Sequence, residues 1–419
     1  MNSKRLIIPR LSIMMFLQFF IWGAWYTSIA VYMSEVGMGS LTHWPFTVNP
    51  IAAVIAPFFV GLIADKYFAT QKVLGILHLV GAVILFITPM TTSNHAGFIV
   101  LLLIYNLCYM PTLALSNSLA FRNIADQEKQ FPMIRVCGTV GWIVAGLFIS
   151  FVLSNMFHIV AEKTAMPMYA AAIASVILGF YCFSLPDTRP DAANMKVSWR
   201  EISGISVIRE LASPAFIIFI VCSFLICIPL AAYYNFTQLF LNFEQVKNIA
   251  GIQTIGQCSE FFFMLMMPIF FRRLGVKWML LVGMLAWVAR YALFAMSVPD
   301  SVMWMIIAGI ALHGICYDFF FVTGQIYVDK QCNDQNRGQA QGLLVLITYG
   351  IGMLVGAQIA GVLYDRLLAG APSLTAENWV KFWWIPSIFA LVIAVIFFLL
   401  FKEKKSAATL NQTQVSQSH

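Results

Sequence analysis

Two carboxylates sit where an apolar chain should hold none. Glu260 lies inside the run Ile255 to Phe271 (IGQCSEFFFMLMMPIFF), which ends at Arg272 and Arg273. If that run is a helix crossing a bilayer with its arginines among the headgroups, a rise of about 1.5 Å per residue puts Glu260 about 18 Å deep, near the midplane. A carboxylate there costs about 3 kcal/mol or more unless it is protonated, paired or turned toward water. Asp318 is comparably placed in HGICYDFFFVTGQIYV. The chemistry such acids offer is proton exchange, in a polar cavity that also admits a small polar solute.

Other polar side chains in apolar runs recur at helical spacing. Arg135, Thr139 and Trp142 are four and three apart and share one helix face: a guanidinium, a hydroxyl and an indole, suited to a planar, hydrogen-bonding solute. For Arg135 a plainer account is an interfacial arginine bonding the carbonyls of a neighbouring loop. Gln257 stands three residues before Glu260, on the same face, and Tyr233, Tyr234, Asn235 and Gln238 form the most polar cluster of their run. Arg290 and Asp318 lie in successive runs, and an ion pair between them is the plain structural account of both. His78 is expected to be a helix-packing residue. The eight cysteines are scattered through apolar stretches with no CxxC or Cys/His cluster, so they read as buried free thiols. No HExxH, paired intramembrane aspartates or Ser/His pair is present; neither an enzyme nor a metal or other cofactor is expected.

These residues need elements to position them, and the composition says which. Of 419 residues 60% are hydrophobic and 10% charged, with mean hydropathy +0.82, against about 25% charged in a soluble domain. That describes an all-α protein of the lipid bilayer, and at about 20 apolar residues per span the length suits about twelve transmembrane helices. The net charge of +7 is not a nucleic-acid site. Most Lys and Arg fall on one side of the spans, Lys163, Lys247, Arg366 and Lys381 fall on the other, and that bias puts both termini in the cytoplasm. The apolar run after MNSKRLIIPR is too long for a signal peptide and lacks a small-residue cleavage site, so it reads as an uncleaved first span, about Ile8 to Met33.

The longest polar stretch divides the chain. Residues 1–185 read as one six-helix half, 186–213 as a cytoplasmic linker, 214–403 as a second six-helix half and 404–419 as a disordered tail. Within the linker, Trp199, Ile202, Ile205 and Leu211 of KVSWREISGISVIREL fall near one face, as in a helix lying on the membrane surface.

Several strings carry a resemblance. GLIADKYFATQK (Gly61 to Lys72) is similar to the loop between spans two and three of the major facilitator superfamily: Gly61, Asp65 and Lys66 match, and Phe68 replaces the pattern's second glycine. FLQFFIWGAWY (Phe16 to Tyr26), YMPTLALSNS (Tyr109 to Ser118), FPMIRVCGTVGW (Phe131 to Trp142), the Gln257 to Glu260 step, AWVARYALFA (Ala286 to Ala295), YDFFFVTGQIYV (Tyr317 to Val328) and AQG (Ala340 to Gly342) resemble, in order and over essentially the whole chain, the bacterial nucleoside:proton symporters of that superfamily.

The resemblance implies the major facilitator fold and a monomeric secondary transporter of the inner membrane, importing a nucleoside with protons by alternating access. It implies Arg135, Thr139, Gln257, Glu260 and Asp318 as binding and coupling residues, with aromatic positions at Trp142 and Tyr317. Glu260 and Asp318 are the proton-coupling candidates, and which of them carries the proton stays open. Tyr234 and His313 complete the solute-binding set at positions of departure: with Ala231, Tyr234 stands where better-known members carry amides, His313 replaces a Tyr, and Phe321 an Asn. Lost amides mean lost hydrogen bonds to solute, so a sugar or sugar conjugate on the same scaffold is the alternative.

Overall fold

A bilayer leaves backbone groups no partner but one another, so each long apolar run closes its own helical hydrogen bonds. The computed structural model describes residues 6–59, 68–188, 211–332, 337–369 and 375–402. It is helical throughout those residues, with no strand among them. The spans are α1 (Ile7–Glu35), α2 (Trp44–Phe59), α3 (Thr70–Ile87), α4 (His95–Asn123), α5 (Lys129–Phe157), α6 (Met166–Cys182), α7 (Pro214–Phe243), α8 and α9 (249–274 and 276–297), α10 (Met303–Gln331), α11 (Gln339–Leu368) and α12 (Ala376–Leu400). These twelve crossing helices accord with the expected count. Gly61, Asp65 and Lys66, nearly all of the proposed surface helix, and the tail from residue 404 lie outside the described residues.

Local chemistry starts and stops the helices. Ser213 accepts from the Phe216 N–H at the start of α7, and Pro214 occupies a first-turn position where no amide is missed. Asn94 and Asp126 do the same for Gly97 and Lys129. Between α8 and α9 the chain turns at Gly275, whose φ of 68° is the left-handed conformation that glycine tolerates best. The first span is not one helix, as its composition suggested: it stops at Tyr26 and resumes at Ile29. Among the described residues four π-helical turns occur: those at Phe148–Leu153, Asp318–Val322 and Leu346–Gly352 interrupt α5, α10 and α11, and one at Asp365–Ala369 ends α11.

Packing within the first six helices relies on small residues and one closed polar network. A Cβ at Gly141 would come within 2.1 Å of the Phe16 carbonyl oxygen, so α1 and α5 approach as closely as backbones can. His78 bonds Ser175 (3.1 Å) and Gln18 (2.8 Å), and Gln18 donates to Thr112 (2.7 Å). His78 is thus a packing residue tying α3 to α6, α1 and α4. Ser116 donates to Leu113 O within its own helix.

The first six helices meet the last six through a band of hydrogen bonds at the end away from Ile7 and Leu400. Gln238 of α7 spans the break in α1, donating to Tyr26 O (2.8 Å) and accepting from Ala30 N (3.2 Å). Gln253 of α8 donates to Thr27 O at 3.1 Å. Glu162, fully buried in the turn after α5, accepts from Ser150 (2.5 Å) and from Ala250 N (3.4 Å), while Ser150 accepts from Gly251 N (2.7 Å). A carboxylate and a hydroxyl from one set of helices therefore cap the start of α8 in the other, where the helix dipole favours negative charge. Gln358 to Thr47 (2.7 Å) and Tyr349 to Asn49 (2.6 Å) complete the band.

Replacing Gly141 with Val should push α1 from α5 and cost about 1–3 kcal/mol, as overpacking does. A lower melting temperature in detergent is the expected readout; an unchanged one would show that the two backbones separate freely.

Candidate functional site

Helical spacing puts several polar and aromatic side chains of each span on one face, and six spans turn such a face toward a common centre. There they enclose a cavity of about 330 Å³, within the range of small-molecule sites. From α1 come Phe19, Trp22 and Tyr26; from α5 Arg135, Thr139 and Trp142; from α7 Cys227, Leu230 and Tyr234; from α8 Gln257 and Glu260; from α10 His313, Tyr317, Phe321 and Gln325; from α11 Val345, Thr348, Tyr349 and Met353. Most of these recur three or four residues apart, the interval that keeps side chains on one helix face.

The structure brings eight of the nine expected site residues to this cavity: Arg135, Thr139, Trp142, Tyr234, Gln257, Glu260, His313 and Tyr317. Asp318 is not among the lining residues and is fully buried. His313 and Tyr317 are one helical turn apart and face the cavity; Asp318 follows Tyr317 by about 100° of rotation, where the π-helical turn begins. The polar cluster of α7 divides in the same way. Tyr234 lines the cavity, Gln238 serves the broken α1, and Asn235 is buried with no side-chain partner.

Within the cavity, rings form the larger part of the wall. Trp22 and Trp142 meet edge to face with centroids 5.4 Å apart, Tyr26 bridges Trp142 (6.1 Å) and Tyr234 (6.3 Å), and Tyr317 lies between His313 (5.9 Å) and Phe321 (5.3 Å). The Arg135 guanidinium rests on Phe19, 4.2 Å from its centroid, which holds a cation at the wall without consuming its donors on a carboxylate. Glu260 approaches His313, with Oε2 3.7 Å from Nε2. Their exposures of 21% and 3% order them: the carboxylate reaches the cavity and the imidazole backs it. Gln257 Oε1, Trp22 Nε1, Trp142 Nε1 and His313 Nδ1 have no protein partner, an unusual density of free hydrogen-bonding capacity around one space.

The expected Arg290 to Asp318 ion pair does not form. Arg290 donates from Nε to Gly309 O (3.0 Å), and its guanidinium carbon lies 3.9 Å from the centroid of Tyr233. Both Asp318 oxygens lack a hydrogen-bond partner. The reason is rotational: Gly309, His313 and Cys316, four and three apart, form the stripe of α10 turned to Arg290, and Asp318 belongs to a different face.

Sequence reasoning left Phe19, Thr348, Tyr349 and Met353 unassigned as lining residues; Phe321, noted there as a position of departure, also lines the cavity. Trp22 and Tyr26 had a signal, since their rings begin in mid-span rather than at an interface. Thr348 and Tyr349 had one too, as adjacent polar groups inside an apolar run.

Comparison with known proteins places this geometry. A family model described as "Nucleoside H+ symporter" matches residues 6–406. The putative nucleoside transporter YegT of Escherichia coli (strain K12) is 38% identical over 405 residues, covering 96% of this chain and 95% of the relative. The xanthosine permease of the same strain is 31% identical over 417 residues, covering 94% and 96%. A crystal structure of the nucleoside transporter NupG superposes with a TM-score of 0.84 at 29% identity, covering 96% of this chain and all of that one.

Because Arg290 and Asp318 face apart, exchanging them should rescue nothing. The double variant Arg290→Asp/Asp318→Arg is expected to melt in detergent no higher than the less stable single variant; recovery toward wild type would show that the two side chains do pair.

Proposed function

The chain belongs to the nucleoside H⁺ symporter family, and on that premise we propose that its central cavity is the nucleoside site and that Glu260 is the acid whose protonation is exchanged during transport. The protein is a secondary transporter that imports nucleosides with protons, not an enzyme. The observation that carries the site assignment is the position of Glu260: an intramembrane acid reaching a cavity whose wall is largely aromatic rings.

A nucleoside is a flat heteroaromatic base joined to a ribose rich in hydroxyls, and the cavity offers something to each part. Trp142 or Tyr317 stacks on the base, and Arg135, Thr139, Gln257 and Glu260 hold polar atoms, with Tyr234 and His313 closing the wall. A protonated carboxyl both donates, through its O–H, and accepts, through its second oxygen, so a ribose hydroxyl bonded to protonated Glu260 holds the proton in place. Solute binding therefore favours the protonated acid and the protonated acid favours solute, so the two are carried together. Asp318, one helical face away and within electrostatic reach of Glu260, influences the exchange through its charge rather than by touching solute. A sugar alone leaves the ring faces unused, and family membership does not favour it.

Alternating access then has a physical form. Residues 1–185 and 214–403 act as two bodies, closed here by the band of bonds at Gln238, Gln253 and Glu162. That band lies on the outer side of the inner membrane, with both termini and the 186–213 linker in the cytoplasm. One chain lines the whole cavity, so a monomer suffices as the working unit.

Three outcomes test this reading. Glu260→Gln should reduce pH-driven nucleoside accumulation to the level of vesicles treated with a proton ionophore; wild-type accumulation would remove Glu260 from coupling. Purified protein should melt higher with uridine, adenosine or xanthosine, by up to about 2.7 kcal/mol at a hundredfold excess over Kd, and a response to sugars alone would overturn the solute. With spin labels at exposed Ser40 and Lys247, Glu162→Gln and Gln238→Ala should both populate longer distances. An unaltered distribution in both would mean that the band does not hold the outer side shut.

A further inference from the structure

Behind the cavity wall stands a cation with no anion on it. Arg290 is fully exposed to neither solvent nor cavity: its side chain is completely buried, it is not a lining residue, and its Nη1 and Nη2 have no hydrogen-bond partner. Its surroundings fix it in place. The Nε donates to Gly309 O, the guanidinium lies on the Tyr233 ring at 3.9 Å, and the next residue, Tyr291, anchors α9 to α7 by donating to Pro229 O at 2.5 Å. The same Tyr233 ring stacks on His313, with centroids 5.6 Å apart and planes 20° apart, and His313 Nε2 is the atom 3.7 Å from Glu260 Oε2. One aromatic ring therefore separates a permanent charge from the imidazole that backs the cavity acid.

An imidazole beside a carboxylate ordinarily gains from taking a proton and forming an ion pair. Here burial already disfavours a charged ring, and protonation would also place a second cation two short steps from a guanidinium that cannot lose its own, in surroundings that screen charge poorly. The other polar and titratable groups facing the pair are Arg135 across the cavity, Tyr234 on α7, Cys316 and Tyr317 on α10, with Tyr26 and Tyr349 lining from α1 and α11. Asp318 lies on another face of α10. Apart from Glu260 itself, no carboxylate among the described residues pairs with His313 to favour an imidazolium.

We propose that Arg290 is a positioning residue for proton exchange, holding His313 as a neutral hydrogen-bonding partner through Tyr233 so that the exchanged proton resides on Glu260. The inference rests on the assignment of Glu260 made above. It adds a specific role for a residue that touches neither solute nor the carboxylate. Without Arg290, His313 takes the proton, pairs with Glu260 as an imidazolium, and stabilises the carboxylate in its charged form. Protonating Glu260 then needs a more acidic exterior. No atom of Arg290 takes part in the transfer.

The test compares the pH dependence of nucleoside uptake in vesicles for wild type, Arg290→Met, Arg290→Lys, His313→Gln and the Arg290→Met/His313→Gln double variant. Arg290→Met should displace the profile toward acid by about a tenfold change in proton concentration, and Arg290→Lys should restore it. On the His313→Gln background, whatever that variant's own rate, Arg290→Met should displace the profile no further. A displacement of equal size on both backgrounds, or none on either, overturns the proposal. Should the methionine variant fail to accumulate, histidine NMR of purified wild type and Arg290→Met decides the matter, with the His313 signal identified by its loss in His313→Gln. A ring neutral from pH 5.5 to 8 in wild type that becomes an imidazolium in Arg290→Met supports the proposal; an imidazolium already in wild type, or a ring neutral in both, overturns it. Full pH-driven uptake by Glu260→Gln would instead fault the coupling assignment, so the two failures remain distinct.

Discussion

Hydrocarbon cannot solvate charge, and that constraint shapes the whole molecule. Each ionisable group inside a span must be turned inward, which forces α1, α5, α7, α8, α10 and α11 to bring their polar faces together. The outward faces are left to side chains such as Val83, Phe180, Phe262, Leu265 and Leu399, all well exposed and needing only lipid. The cavity is therefore a consequence of where the polar residues fall along each helix as much as of how the helices are joined.

Poor screening gives the inward charges reach. Arg135, Glu260, Asp318 and Arg290 make no ion pair with one another; Tyr233 and the His313 imidazole stand between Arg290 and Glu260, and Asp318 lies within electrostatic reach of Glu260, so a proton gained or lost at either acid is felt by the other charges. Tight mutual pairing would hold each acid in its charged state and leave it no proton to exchange. Cation–π contacts at Phe19 and Tyr233 keep the two guanidiniums in position while leaving the acids free to exchange.

The same scarcity of partners explains how the two sets of helices hold together. A break in α1 frees backbone groups in a place where water cannot be relied on, and Gln238 and Gln253 from the other set supply what is missing. Glu162 and Ser150 return the service at the start of α8. Every bond in this band exchanges well for water. Water entering at that end can replace these bonds one for one, and that is what a transporter alternating between two closures requires.

Much of this was legible from residue order. Hydropathy runs located the spans, because a bilayer crossing needs about 20 apolar residues whatever surrounds it. The stripes Arg135, Thr139, Trp142 and Gln257, Glu260 followed from helix periodicity, a local property that survives any packing. Tertiary structure alone decided how those helices were rotated and which residues met. It turned Asp318 out of the cavity wall, left Arg290 on Tyr233 instead of on a carboxylate, brought Tyr349 of α11 into the lining, and set Glu162 against α8. These are relations between residues tens to hundreds of positions apart, settled by the facing of whole helices, and no local pattern encodes that rotation.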